Sequence, residues 1–263
     1  MTRIGRLFQK LKTEGRCGMI AYLTAGDPSA AATPGLVAAL ERGGADLIEL
    51  GVPFSDPIAD GPIIQQAGDR ALRGGMTLAR VLDIAAEIRK TSEIPLLLFT
   101  YLNPALRYGF ERLAKDAKAT GIDGCLLTDV SVEEAEEYVK VMRNAELDTV
   151  FLAAPTSTDE RLELIARYSS GFVYLVSRTG ITGVRQSIAE SAGLLIDRMR
   201  AHTTLPIAMG FGISTPEHVA QLSGKVDAVV VGSAIVRQIE KNASQLESFM
   251  RDLHRPLEQV EIS

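Results

Sequence analysis

Eight short apolar runs alternate with longer amphipathic stretches along the chain, and this alternation restricts the fold more than any other feature. The runs are MIAYLTA (19–25), DLIELGV (46–52), IPLLLFTY (94–101), GCLLT (124–128), TVFLAA (149–154), FVYLV (172–176), LPIAMGF (205–211) and DAVVVG (227–232). Short runs rich in Val, Ile and Leu are what strands buried on both faces look like. The stretches between them, such as 133–144 and 158–169, read as helices. Ser131 ahead of Glu133 and Glu134 predicts a capping box, and Pro28, Pro34 and Pro216 mark other helix starts.

Strand–helix alternation implies parallel pairing, because each return to the sheet needs a crossover. Eight strands also close a barrel that their own side chains fill. The expectation is α/β: one (β/α)₈ (TIM) barrel, a single domain over 1–263, with an extra N-terminal helix in which Ile4, Leu7, Phe8 and Leu11 recur at helical spacing. The rival is an open doubly wound sheet, which carries a glycine-rich loop after its first strand. That position here reads Ala25-Gly26-Asp27-Pro28, without the G-x-G-x-x-G pattern.

The net charge of -5 argues against nucleic acid as the main partner, since neutralising phosphates needs a basic face. No apolar run reaches the length of a membrane span, and the first residues lack the apolar core of a secretory signal. Cys17 and Cys125 sit beside apolar runs with no second cysteine or histidine nearby. They read as buried, reduced packing residues of a cytoplasmic protein. His202, His218 and His254 are scattered, and surface roles are expected for them.

A barrel places its chemistry at the C-terminal ends of the strands. In LIELGVPFSDPIADG (47–61), strand alternation puts Leu47, Glu49 and Gly51 on one face and Ile48 and Leu50 on the other. Glu49 then projects into apolar surroundings near the mouth, where burial raises a carboxyl toward the range of a general acid or base. The competing reading is a strand-end carboxylate holding a loop amide or an arginine. Asp60, ahead of Gly61, reads equally as a turn residue or a site residue, and Asp56 as a loop-backbone partner. Glu49, Asp56 and Asp60 would suit a hard cation, but loops are rich in acids and no metal site is assigned. Asp129, at the end of the fourth run, fits a structural, partner-contact or site role.

Glycines cluster where barrels bind phosphate, in GFGIS (210–214) and VGSAI (231–235), with a third group in SRTGITG (177–183). None of the eight lysines falls at the C-terminal end of a strand, which disfavours a Schiff base. Carboxylate acid–base work on a small phosphorylated molecule remains.

With these residues in view, the sequence closely resembles the tryptophan synthase α chain family. The stretch 47–61 reads as that family's catalytic-glutamate signature, and TAGDP (24–28), 177–183, 210–214 and GSAIV (232–236) match in support. The resemblance implies a carbon–carbon lyase that cleaves indole-3-glycerol phosphate to indole and glyceraldehyde 3-phosphate by a retro-aldol reaction. It implies Glu49 and Asp60 as the catalytic pair. Tyr174, Gly183, Gly212, Gly232 and Ser233 match positions around the glycerol phosphate, and Thr182 joins the substrate-binding set. Tyr22, Phe99, Leu126 and Leu152 match an indole pocket, with Tyr22 where some members carry phenylalanine. The resemblance also implies a partner β chain in an α2β2 assembly. Pyridoxal phosphate belongs to that partner, and no cofactor is expected in this chain. A stand-alone indole-releasing lyase would keep the same residues. A catalytically idle phosphate-binding subunit would not need both Glu49 and Asp60.

The segment 178–191 is expected to act as a lid. Gly180 and Gly183 are free to change backbone angles, and no strong apolar stripe precedes Ile188. Limited trypsin digestion should cut after Arg185, and glycerol phosphate with an indole analogue should slow that cut. Equal cleavage rates with and without saturating ligand would remove the lid from the mechanism.

Overall fold

The computed structural model describes residues 1–176, 188–210 and 212–258, and for 188–192 the helical backbone alone. Its strands are β1 (Gly18–Thr24), β2 (Leu47–Gly51), β3 (Leu96–Thr100), β4 (Gly124–Leu127), β5 (Asp148–Val150), β6 (Leu152–Ala153), β7 (Val173–Val176), β8 (Ile207–Gly210) and β9 (Ala228–Val231). All pairings are parallel, in the order β5-β4-β3-β2-β1-β9-β8-β7-β6. The two ends of that order, β5 and β6, are separated only by Phe151. They are two halves of one stave, so the sheet closes with eight staves, each within or beside one of the eight apolar runs.

The helices are α1 (Arg3–Glu14), α2 (Thr33–Arg42), α3 (Pro62–Arg73), α4 (Leu78–Arg89), α5 (Leu102–Tyr108), α6 (Phe110–Ala119), α7 (Glu136–Asn144), α8 (Asp159–Tyr168), α9 (Ile188–Arg200), α10 (Pro216–Leu222), α11 (Ser233–Asn242) and α12 (Leu246–Glu258). Thr158 caps α8 by accepting from the Arg161 amide, as a threonine ahead of a helix should. The expected capping box at Ser131 does not form. Ser131 precedes a three-residue 3₁₀ turn, its hydroxyl donates to the Glu133 carboxylate, and α7 starts only at Glu136. Turned toward the Glu133 carboxylate, the Ser131 hydroxyl accepts no helix amide.

Strand alternation sorts the core into two layers. Ile20, Leu47, Leu97, Leu126, Val150, Tyr174, Ala208 and Ala228 point into the barrel, while Met19, Ala21, Ile48, Leu50, Leu96 and Leu98 face the helices. Helix α1 closes the N-terminal end, burying Ile4, Phe8 and Leu11 in the inner layer, with Phe8 against Phe172. Thr2 caps α1 and donates to Asp148, which fastens the plug to the barrel.

The same end carries a repeated clamp. Asp46, Asp123 and Asp227 each immediately precede or lie just before a strand. They accept the amides of Met19, Leu96 and Ile207 on the neighbouring strand at 2.8, 2.9 and 2.7 Å. Each also pairs with an arginine that leads into that neighbour: Asp46 with Arg16, Asp123 with Arg89 and Asp227 with Arg200. One carboxylate thus joins two consecutive strands and one guanidinium.

His254 departs from its expected surface role. It is buried on α12, its ring lies against Gly44, and Nδ1 meets the Glu258 carboxylate at 3.2 Å. Cys17 and Cys125 are buried and free, and burial pushes both thiols up to about 12.

The clamps differ in depth. Asp123 and Arg89 side chains are 4% and 10% exposed, and those of Asp227 and Arg200 are 39% and 37%. Removing one partner of a buried pair leaves an uncompensated charge, whereas an exposed pair is worth little. Asp123→Ala should therefore cost about 3 kcal/mol in denaturant unfolding and Asp227→Ala about 1 kcal/mol. Equal losses would show that depth does not govern the clamps.

Candidate active site

A cavity of about 340 Å³ opens at the C-terminal mouth of the barrel. That volume suits a small ligand. Nine of the expected site residues line it: Tyr22, Glu49, Asp60, Phe99, Leu152, Tyr174, Gly212, Gly232 and Ser233. They come from five strands, three strand-to-helix loops and the first residue of α11, so closure of the barrel is what brings them together. Leu126 does not line it. Its side chain is fully buried in the inner layer, directly opposite Phe99 in the β3–β4 register. Thr182 and Gly183 lie outside the described residues, as does segment 178–191 up to the start of α9.

Glu49 sits in the middle of β2, opposite Tyr22 on one side and Leu97 on the other. It is 1% exposed, and its Oε1 has no hydrogen-bond partner. A buried polar atom left unpaired costs stability, and such atoms concentrate where function needs them. Burial alone pushes the Glu49 carboxyl up to about 8. At neutral pH it therefore holds its proton, with the free oxygen at the cavity wall.

Asp60 lies in the loop between β2 and α3. Pro57 accepts the Asp60 amide, the Ala59 amide donates to the Tyr101 hydroxyl at 3.2 Å, and Gln65 on α3 donates to the Asp60 carbonyl at 2.9 Å. These contacts fix the loop while the Asp60 carboxyl faces the cavity. Burial pushes that carboxyl up, and the Tyr101 hydroxyl partly offsets this. Asp56 remains exposed, bonded to its neighbour Ser55, and does not line the cavity.

Two tyrosines shape the apolar wall. A Cβ at Gly51 would lie 2.3 Å from the Tyr22 hydroxyl, and one at Gly210 would lie 2.4 Å from the Tyr174 hydroxyl. Only glycine on those strands leaves room for the two rings. Tyr22 meets Phe99 edge-on at 5.2 Å.

At the far side, Gly232 is the N-cap of α11 with no side chain filling the cap, and Ser233 begins the helix. First-turn amides of such a helix are available to an anion. Gly212 takes φ 74°, a backbone angle glycine adopts without strain.

The sequence reading missed Ala59, Ile63, Ile64, Val176, Ile213 and Val230 as lining residues, all apolar and without a chemical signal. Thr128 also lines the cavity, and its buried hydroxyl has no partner. Its place at a strand end was the available signal. Asp129, by contrast, accepts the Leu102 amide at 2.6 Å and so holds the start of α5. Among the described residues no group of three His, Cys, Asp or Glu side chains could hold a metal ion.

The fold and mouth define a (β/α)₈-barrel protein whose cavity joins a buried protonated carboxyl, an aromatic and aliphatic wall and an open helix N-terminus. The family model "Tryptophan synthase alpha chain" matches residues 8–262. The tryptophan synthase alpha chain of Solibacter usitatus is 69% identical over 261 residues, covering 97% of this chain and 98% of that one. The Geobacter sulfurreducens protein of the same name is 46% identical, covering 92% and 91%. A crystal structure of tryptophan synthase subunit alpha from Legionella pneumophila superposes with a TM-score of 0.93 at 33% identity, covering 99% of this chain and 100% of that one. A structure of tryptophan synthase from M. tuberculosis gives 0.90 at 33% identity, covering 98% and 99%. The chain belongs to the tryptophan synthase alpha chain family.

The raised Glu49 carboxyl makes stability depend on pH. The folded protein keeps this proton up to about 8, whereas a free glutamate releases it near 4.5. Between those values the folded state binds more protons, so this group lowers stability as pH rises, by at most about 1.4 kcal/mol per pH unit. Glu49→Gln has no such proton. Its stability relative to wild type should increase from pH 5 to pH 8 in thermal or denaturant melts. A constant difference would show that Glu49 is not buried unpaired in solution.

Proposed function

We propose that this chain is the lyase subunit that cleaves indole-3-glycerol phosphate to indole and glyceraldehyde 3-phosphate, as one TIM-barrel domain over 1–263. The observation that carries the catalytic assignment is Glu49: a carboxyl that stays protonated at neutral pH, has an unpaired oxygen and lines an aromatic cavity.

Glu49 delivers its proton to indole C3, which makes the ring an electron sink. The Glu49 carboxylate then takes the proton of the hydroxyl on the adjacent side-chain carbon. The electrons of that O–H bond form the aldehyde carbonyl, the carbon–carbon bond breaks, and its pair returns to the indole. Glu49 is protonated again at the end of the cycle. Asp60 accepts the indole N–H and stabilises the positive charge that develops there. Tyr22, Phe99 and Leu152 support the ring, with Leu126 packed beneath them. The amides at Gly212, Gly232 and Ser233 receive the phosphate beside Tyr174, and Thr182 and Gly183 join that set. This chemistry uses no cofactor or metal from this chain.

The partner is a β chain that carries pyridoxal phosphate and consumes the indole, in an α2β2 assembly. Ile58, 83% exposed in the loop after β2, and Leu106, 52% exposed on α5, give the mouth face an apolar surface for it. Two free buried thiols support a cytoplasmic location. Among the described residues no helix is long and apolar enough to cross a membrane.

Turnover of the isolated chain tests the reading. Glu49→Gln should fold and lose about 10²–10⁴-fold in lyase rate, and Asp60→Asn should lose at least about tenfold. Added β chain should raise the wild-type rate. A Glu49→Gln rate within about threefold of wild type would sink the catalytic assignment.

A further inference from the structure

We propose that the N-terminal end of the barrel, opposite the mouth, holds a second ligand site that takes a small organic phosphate. A cavity of about 360 Å³ lies there, between the end of α1 and the loops that lead into β8 and β9. Among the described residues, four cationic side chains line it, Lys12, Arg16, Arg200 and Lys225, with Asp227 the one acid in the wall.

The two guanidiniums are held in place. Arg16 is fixed by Asp46 through bonds of 2.9 and 2.8 Å. Arg200 donates to the Leu205 carbonyl at 3.1 Å and pairs with Asp227. Asp227 is in turn held by the Ile207 amide, so the one acid in the wall is already engaged. The clamps that tie strands together therefore also present two oriented guanidiniums to the cavity. Gly15 at φ 62° ends α1 and turns the chain so that Arg16 follows Lys12 around the same opening.

The two lysines are different. Both are exposed, and neither has a carboxylate within salt-bridge distance among the described residues. Arg16 is neutralised by Asp46 and Glu14 and Arg200 by Asp227, so the local positive excess is that of Lys12 and Lys225, which the pairing of the strand clamps does not require. A multiply charged anion matches it better than a carboxylate, because the ammoniums and guanidiniums approach from separate elements. The floor is apolar, formed by Phe8, Leu11 and Val226, and it suits an organic body attached to that anion. Cys17 also borders the cavity, but burial keeps its thiol neutral, so binding here is non-covalent.

This site shares no residue with the mouth, and the proposal stands independently of the lyase assignment. Phenyl phosphate is the probe, titrated calorimetrically into the full chain at low salt. Wild type should show a lysine-dependent binding component that weakens as salt rises. Lys12→Ala/Lys225→Ala should weaken that component at least tenfold, and Lys12→Arg/Lys225→Arg should restore it. Both lysines are exposed and have no salt-bridge partner among the described residues, so unchanged melting temperature and lyase rate are expected and serve as the folding control. Binding of equal strength in the double-alanine protein would mean that the probe occupies only the mouth, and would overturn the proposal. So would the absence of any binding by wild type up to about 10 mM probe.

Discussion

Closing a parallel sheet on itself turns one face of every strand toward a space only as wide as side chains, and each inward position must then pack, hydrogen-bond or face a cavity. Along β2 that rule yields Leu47, Glu49 and Gly51 in turn. Leu47 fills the inner layer, and Gly51 leaves space for the Tyr22 ring from the next strand. Glu49 is left between them with no protein partner for Oε1. Its raised carboxyl is thus a product of register: a shift of one residue would send it to the helix-facing layer and bring Ile48 or Leu50 inward.

The remaining wall follows from the same geometry. Tyr174 pairs in register with Ala208, and its hydroxyl reaches over Gly210 two residues further along β8. Tyr22 and Gly51 repeat this arrangement between β1 and β2. Two large rings fit at the mouth because small residues stand beside them. The cavity therefore ends up with apolar sides, a buried acid near its base, and polar groups at its rim, where Asp60 and the α11 N-terminus lie.

The eight staves, the plugging helix and most of the mouth were legible because each depends on local periodicity or on residues at strand ends. Glu49 could be placed facing inward from alternation alone, and its free oxygen could not, because that depends on what other strands fail to supply. Ser131 misled because a capping box specifies residue types, while the hydroxyl had an acidic neighbour within reach. His254 misled because helical position says nothing of what packs on the ring. Asp129 was ambiguous until the fold brought it to the Leu102 amide, 27 positions away in sequence. The apolar lining residues Ile63, Ile64, Ile213 and Val230 carry no signal that separates a cavity wall from a core.

The arginine–aspartate clamps were invisible for a related reason. Their partners lie 30, 34 and 27 residues apart, and nothing in either short segment marks the other. Yet each spans one strand–helix–strand unit, joining the residue that leads into one strand to the acid that leads into the next. A carboxylate at that point satisfies a strand-edge amide and neutralises a guanidinium at once. The N-terminal end thereby gains three arginine–aspartate pairs, while at the mouth Glu49 is buried in a cavity that no arginine lines among the described residues. Glu49 keeps its proton because none of the arginines that pair with Asp46, Asp123 and Asp227 lines the mouth.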